Sequence, residues 1–157
     1  MIMIKNEQEI AIMREANRML AHLFEHLKSM ILPGITTLEL DQEAEFYIRS
    51  RGALPAFKGY RGFPFTLCIS VNEEVVHGFP STRRLRSGDI VSIDVGALHA
   101  GFYSDAARTF PVGEISPQAQ ELIAVTRKAL EAGVSQAVPG NRISDISSSI
   151  QKVVESA

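Results

Sequence analysis

Apolar residues recur at helical intervals in the first thirty positions of the chain. Asn6 and Glu9 have the spacing of a capping box, in which each side chain bonds the other residue's backbone. Pro33 and Gly34 then interrupt the pattern. These features predict a first helix from Asn6 to about Ile31. Its apolar positions are Ile10, Met13, Leu20, Leu23, Phe24, Leu27 and Ile31.

A second capping box begins directly after this Pro-Gly pair. Thr36 and Glu39 are three residues apart, as the box requires. A single apolar stripe follows, so a second and shorter helix is predicted here. The stripe consists of Leu40, Ala44, Tyr47 and Ile48.

Between Gly52 and Gly113 the helical period is lost. Glycines and prolines separate short β-branched and aromatic runs, namely "TLCISV", "DIVSIDV" and "GFYSDAARTFPV". Such punctuated runs are typical of strands joined by tight turns. This block therefore predicts an antiparallel sheet.

Two further helices are predicted after the sheet block. Ser116 and Pro117 are suited to begin one, and Pro139-Gly140 ends it before a second amphipathic stretch. The order helix, Pro-Gly, helix thus occurs twice. When the two segments are aligned at their Pro-Gly pairs, the apolar residues of the helices that follow occupy matching positions. Chance similarity is the alternative to an internal repeat. If the repeat is real, a second sheet block would follow Ala157.

Composition and charge narrow the class of partner. The 157 residues are 45% hydrophobic and 22% charged, which is ordinary for one globular domain. A net charge of -2, from 16 basic and 18 acidic residues, gives no electrostatic case for nucleic acid or a membrane surface. The start has no signal-peptide pattern, and Cys68 is the single cysteine, so we expect a cytoplasmic protein. A small molecule or a peptide is the expected partner.

Two aspartates interrupt the last two predicted strands. If a tight turn at His99 and Ala100 joins these strands, Asp94 lies directly opposite Asp105. Like charges in that arrangement repel, and a divalent cation held by both carboxylates would remove the penalty. The alternative is that one aspartate pairs with Arg108 or caps a turn while the other faces solvent. Two carboxylates are also too few for a complete catalytic metal site.

His77 and two aromatic residues form a second group of candidates. His77 follows a valine pair and precedes a glycine in "NEEVVHGFP", so it is expected to point from a strand end into a turn. A histidine there could donate to a substrate carbonyl, or it could simply bond the turn. Tyr60 and Phe63 of "GYRGFP" could line an apolar pocket or belong to the core.

In combination these segments resemble the N-terminal half of a type I methionine aminopeptidase. The resemblance runs from Met3 to about Ser156 and is carried by "MIKNEQEIAIMREANRM", "GYRGFPFTLCISVNEEVVHGFP" and "GDIVSIDVGALHAGFYSDAARTFPVG". "SDAARTFPVG" alone is also similar to the Xaa-Pro peptidases that share the fold. "NEEVVHGFP" favours the methionine enzymes.

The resemblance implies an α/β (α+β) architecture of the pita-bread type, with an antiparallel sheet covered by helices. That fold has two pseudo-symmetric halves, which would account for the repeated Pro-Gly pattern. Residues 1–157 would then form a single partial domain. Within it, 1–115 would be the first pseudo-repeat, and 116–157 would be the helices of the second, whose sheet is absent.

The same resemblance implies a site with two divalent metal ions, of cobalt, manganese, iron or zinc. Asp94 would be a bidentate ligand of one metal and Asp105 would bridge both. His77 would be the catalytic histidine that contacts the substrate. Tyr60, Phe63 and Cys68 match positions that line the methionine pocket.

The implied activity is removal of the initiator methionine from nascent polypeptides by metal-activated water. In that family one further histidine ligand and two glutamate ligands lie in the second half, so we expect this chain to be a fragment with little or no activity alone. An uncovered face would favour dimerisation. The alternatives are an Xaa-Pro aminopeptidase-like enzyme and a non-catalytic peptide-binding module of the same fold.

Overall fold

The computed structural model describes residues 3–157, which divide into two compact units. One unit extends through Glu114 and the other runs from Ile115 to Ala157. None of the helices in the described part of the chain is long and apolar enough to cross a membrane. All of the candidate site residues lie in the first unit.

Two helices open the first unit where the capping boxes predict them. Helix α1 spans Glu7–Met30 and helix α2 spans Thr37–Ser50. Both boxes are formed, with Asn6 and Thr36 as the N-caps. The two predicted helices are therefore confirmed, and their start sites follow from local hydrogen bonding.

The sheet of the first unit has four antiparallel strands. They are β1 (Leu54–Pro55), β2 (Leu67–Val71), β3 (Ile90–His99) and β4 (Phe102–Pro111). Strand β3 is central: β4 pairs along its whole length on one side, and β2 and β1 share the other side. The predicted antiparallel block is confirmed. Strand β1 is not predicted, because two residues that include a proline carry no strand signal.

Alternate residues of β3 face the helices and form the core. The side chains on this face pack with apolar residues of α1, α2 and β2, including Leu20, Leu23 and Ile48. The intervening residues face away from α1 and carry the polar side chains. Four consecutive core positions of β3 are fully buried: Val91, Ile93, Val95 and Ala97.

The turn between β3 and β4 differs from the prediction. It lies at Ala100 and Gly101, both with positive φ (47° and 86°), and His99 pairs with Phe102. Two successive left-handed residues give the two-residue hairpin loop whose twist matches the flanking strands. The predicted register, with Asp94 directly opposite Asp105, is therefore wrong by two residues. Because side chains alternate with a period of two, this shift leaves both aspartates on the same face.

The second unit is a helical hairpin. Helix α3 spans Pro117–Ser135, with Ser116 as its N-cap, and helix α4 spans Ile143–Glu155. The two helices approach closely at Gly133, where an added Cβ would come within 2.7 Å of Ile150. The two helices predicted after the sheet are thus confirmed.

Candidate active site

Asp94 and Asp105 lie on the polar face of the β3–β4 hairpin, diagonally across from each other. Asp94 pairs with Ala107, and Asp105 pairs with Gly96. Diagonal neighbours on one face of an antiparallel pair remain within reach of longer side chains or of a shared ion. The space over Gly96 on this face is occupied by Phe57, since an added Cβ at Gly96 would come within 2.7 Å of the Phe57 ring.

One oxygen of the Asp94 carboxyl is buried without a hydrogen-bond partner in the described residues. This atom, Oδ1, is inaccessible to water. Burial raises the pKa of Asp94 above its usual value, and the nearby Asp105 carboxylate raises it further, while His77 acts in the opposite direction. A buried, unpaired carboxylate oxygen calls for a partner, and a cation would supply one.

The competing interpretation, in which an aspartate pairs with Arg108, does not fit the structure. The Arg108 guanidinium donates to the Glu25 carboxylate of α1 at 2.7 Å. It lies near the rings of Phe24 and Phe110. Arg108 is therefore engaged on the opposite face of the hairpin from Asp94.

Cys68 faces the two aspartates from the neighbouring strand. It pairs directly with Asp94 across β2 and β3, and only 7% of its surface is exposed. Burial raises the pKa of the Cys68 thiol to about 11, with further contributions from the carboxylates of Asp94, Asp105 and Asp41. The thiol is therefore protonated near neutral pH, and it places an uncharged, polarizable side chain beside the carboxylates.

His77 is exposed and lies in an irregular segment beside β2. Its backbone is left-handed, with a φ of 59°, which is uncommon outside glycine. The next residue, Gly78, accepts a hydrogen bond from the Ile69 N–H at 2.9 Å and donates to the Ser70 hydroxyl at 3.2 Å. These two bonds attach the segment to β2 and hold His77 close enough to Asp94 to lower the pKa of that carboxyl.

Phe63 and Tyr60 have different surroundings. Phe63 packs edge-on against Phe65 and Phe79, with ring centroids 6.1 and 5.2 Å apart. Tyr60 is 65% exposed and contributes to no aromatic pair among residues 3–157, although the Arg61 guanidinium lies 5.4 Å from its ring centroid. The structure thus places Phe63 in an aromatic cluster and leaves Tyr60 at the surface.

Asp41 supports the site and was not predicted from the sequence. This residue of α2 is 4% exposed, and its Oδ1 accepts from the backbone N–H groups of Thr66 and Leu67 at 2.9 and 2.8 Å. These bonds fix the start of β2, the strand that carries Cys68. The sequence offered one signal for this role: Asp41 is a charged residue directly beside the apolar stripe of α2. The apolar pattern by itself gives no reason for a charge at that position.

The donor set fits a divalent cation but is incomplete. Carboxylate oxygens are suitable ligands for hard or borderline divalent ions, and Asp94 has an unpaired buried oxygen. In the part of the chain that the structure describes, no group of three or more His, Cys, Asp or Glu side chains could hold a metal ion. Asp94 and Asp105 are therefore two candidate ligands that no third His, Cys, Asp or Glu side chain joins in the described residues.

Comparison with known proteins gives the family. The model of metallopeptidase family M24 matches residues 11–157. The chain belongs to this family. A methionine aminopeptidase of Clostridium perfringens is 52% identical to it over 155 residues, or 99% of this chain and 62% of the relative.

Solved structures agree with this architecture. The crystal structure of methionine aminopeptidase from Rickettsia prowazekii superposes with a TM-score of 0.97 at 35% identity, covering 99% of this chain and 63% of that chain. An Xaa-Pro dipeptidase from Bacillus anthracis gives a TM-score of 0.84 at 28% identity, covering 98% and 42%. The pita-bread fold and the resemblance to methionine aminopeptidases are thus confirmed. The chain spans about 62% of the length of the curated relative.

Proposed function

We propose that this chain takes part in the metal-dependent removal of N-terminal methionine from polypeptides. The observation that carries the proposal is the diagonal arrangement of Asp94 and Asp105 on one sheet face, with a buried Asp94 oxygen that has no partner in the described residues. Membership of a metallopeptidase family and 52% identity to a methionine aminopeptidase support the same chemistry.

Asp94 and Asp105 are the metal ligands in this proposal. Divalent ions bound there would supply an activated water and a Lewis acid for peptide hydrolysis. By the resemblance, the carboxylates of both Asp94 and Asp105 would hold these ions. The elevated pKa of Asp94 belongs to the metal-free chain, because a bound cation favours the ionised carboxylate.

His77 would act on the substrate rather than on the metal. The residue is exposed and lies close enough to Asp94 to act on its pKa, so its ring could donate to a peptide carbonyl beside the carboxylates. The left-handed backbone at His77 is the kind of local strain that clusters at functional sites. Gly78 keeps this geometry by bonding the segment to β2.

Tyr60, Phe63 and Cys68 would form the pocket for the methionine side chain. A thioether makes favourable contacts with aromatic rings, and the Phe63 cluster offers such rings. The Cys68 thiol, protonated at neutral pH, adds a neutral surface next to the ligands. Tyr60 is exposed and would contact the substrate from the rim.

The chain alone is expected to have little or no activity. Two carboxylates do not close a coordination shell, and stabilisation of the transition state depends on a preorganised one. The missing ligands would come from groups outside the described residues. In this proposal the two aspartates form one part of a larger catalytic centre.

A fusion protein tests the proposal. The chain is joined to the portion of the Clostridium perfringens methionine aminopeptidase that it does not match, and methionine release from Met-Ala-Ser is measured with Mn²⁺. We expect release by the fusion and little or none by the chain alone. Asp94→Asn and Asp105→Asn should abolish release by the fusion, whereas Glu73→Gln, which changes an exposed carboxylate nearby, should not. Release that survives Asp94→Asn would contradict the proposal.

The two alternative functions give different results in the same assay. An Xaa-Pro enzyme would prefer a peptide with proline in the second position, such as Met-Pro-Ser. A peptide-binding module would bind Met-Ala-Ser without cleaving it in any variant. Among the solved structures, a TM-score of 0.97 to a methionine aminopeptidase, against 0.84 to an Xaa-Pro dipeptidase, favours the methionine enzyme.

Dimerisation and a cytoplasmic location remain predictions. The helical hairpin of the second unit exposes several large apolar side chains, including Leu122, Val134 and Ile143. Such a face favours association with other surfaces. Sedimentation of the purified chain would show whether two copies associate.

A buried free thiol at Cys68 is compatible with a reducing compartment.

A further inference from the structure

A cleft in the first unit contains none of the proposed active-site residues. It lies between α1, the end of α2 and the tip of the β3–β4 hairpin, and its volume is about 400 Å³. That volume is at the lower end of the range for small-molecule sites. Its lining residues are Glu15, Arg18, Met19, His22, Arg51 and His99.

The lining carries excess positive charge. Arg18 and Arg51 form no ion pair with any carboxylate in residues 3–157. Glu15 is the only acidic residue of the cleft, and its side chain is 74% exposed and 3.9 Å from the His99 Nε2 atom. Two guanidinium groups without a carboxylate partner favour an anionic ligand.

Arg51 is already held in position. Its guanidinium carbon lies 3.4 Å from the centroid of the Tyr47 ring. One nitrogen, Nη1, donates to the Tyr47 carbonyl at 3.3 Å and to the Ser50 hydroxyl at 3.1 Å. The other N–H groups of Arg51 have no partner in the described chain and remain available. A fixed guanidinium loses little conformational entropy when an anion binds.

His99 contributes its ring to the lining of the cleft. Its Nδ1 is inaccessible to water, whereas Nε2 lies 3.9 Å from the Glu15 carboxylate, which also lines the cleft. Met19 is 8% exposed and adds apolar surface to the same cleft.

We propose that this cleft binds a small organic phosphate. Arg18 and Arg51 would bind the phosphate group, since a guanidinium fork matches two phosphate oxygens. Met19 and the histidine rings would contact the organic part, which the volume of the cleft can accommodate beside a phosphate. The proposal is independent of the proposed aminopeptidase function, because the two sites have no residue in common.

Calorimetric titration with phenyl phosphate tests the site. Inorganic phosphate and phenol serve as partial ligands, each with one half of the proposed recognition. We expect saturable binding of phenyl phosphate, weaker binding of inorganic phosphate and none of phenol. Arg18→Ala and Arg51→Ala should each weaken phenyl phosphate binding about tenfold, the effect of losing one charge-assisted hydrogen bond. Arg14→Ala, one turn earlier on α1 and outside the cleft, should leave binding unchanged.

NMR spectra with assigned histidine signals locate the bound ligand independently of the calorimetry. The imidazole signals of His22 and His99 should shift on titration with phenyl phosphate, while that of His77 should not. Circular dichroism of each variant checks that it is folded, and Arg18→Ala remains informative if loss of Arg51 destabilises the end of α2. No saturable binding, equal binding by all three arginine variants, or shifts confined to His77 would each overturn the proposal.

Discussion

The two faces of strand β3 differ in what stabilises them. On the face toward α1, Val91, Ile93 and Val95 are fully buried in apolar surroundings. On the other face, Asp94 has an unpaired buried oxygen, and Asp105 and Cys68 are its polar neighbours. Burial of apolar area stabilises the first face, whereas burial of charge destabilises the second unless a cation binds. One strand therefore supplies both the core and the candidate site.

Shortening a core residue should have the largest effect on stability. Ile93→Ala removes a fully buried side chain from the face toward α1, and we expect a loss of about 2–5 kcal/mol in the free energy of unfolding. Ser92→Ala is the matched change on the opposite face, where the Ser92 hydroxyl bonds Thr109 at 2.8 Å. It should cost only about 0.5–1.5 kcal/mol. Urea denaturation measures both, and equal losses would contradict the contrast between the faces.

A methyl group at Gly78 should displace the segment that carries His77. An added Cβ would come within 2.1 Å of the Ile69 carbonyl oxygen, so the backbone must move away from β2. We expect Gly78→Ala to cost about 1–3 kcal/mol of stability, as overpacking usually does. Thermal unfolding followed by circular dichroism measures the loss. Glu73→Ala, an exposed change in the same loop, is the control, and an equal effect of the two changes would argue against the close packing at Gly78.

The reactivity of Cys68 reports on the charge of the site. With a thiol pKa of about 11, alkylation by iodoacetamide should be slow near neutral pH and should rise about tenfold per pH unit below that value. Asp94→Asn removes a negative neighbour, lowers the pKa of Cys68 and should speed alkylation at a fixed pH. Glu73→Gln should not change the rate. An unchanged rate in Asp94→Asn would place the carboxylate too far away to act on the thiol.

Removal of the Asp94 charge should slightly stabilise the metal-free chain. Because the pKa of Asp94 is raised in the folded state, its ionised form lowers stability above that pKa, and the penalty disappears as the pH falls through it. Water screens this half-buried carboxyl, so Asp94→Asn should gain less than about 1 kcal/mol, or about 1–3 °C in melting temperature. The gain should be present at neutral pH and lost in acid. A melting temperature lowered at neutral pH would contradict this electrostatic account.

Local signals in the sequence predict the elements of the fold well. The boxes at Asn6 and Thr36 and the cap at Ser116 begin helices as expected, because capping depends on residues three or four positions apart. The hairpin register failed because Ala100 adopts a left-handed conformation that its residue type does not favour. Turn conformation, and hence register, depends on the pairing of both strands.

Features of the site that depend on tertiary structure were harder to predict. The sequence indicates Asp94 and Asp105 because charged residues in a strand need an explanation. It does not indicate that Asp41 bonds the start of β2 or that Arg18 and His99 line one cleft, since these contacts join segments far apart in the chain. The roles of Tyr60, Phe63, Cys68 and His77 remain predictions from resemblance, and of these four the structure places Cys68 and His77 beside Asp94.

A calorimetric titration with Mn²⁺ tests the central claim most directly, that Asp94 and Asp105 together hold a divalent cation. We expect saturable binding to the chain, weakened at least about tenfold by Asp94→Asn and by Asp105→Asn and unchanged by Glu73→Gln. Loss of either carboxylate should have a similar effect, because each supplies part of the same incomplete site. Absence of saturable binding, or equal affinity in all four proteins, would contradict the claim.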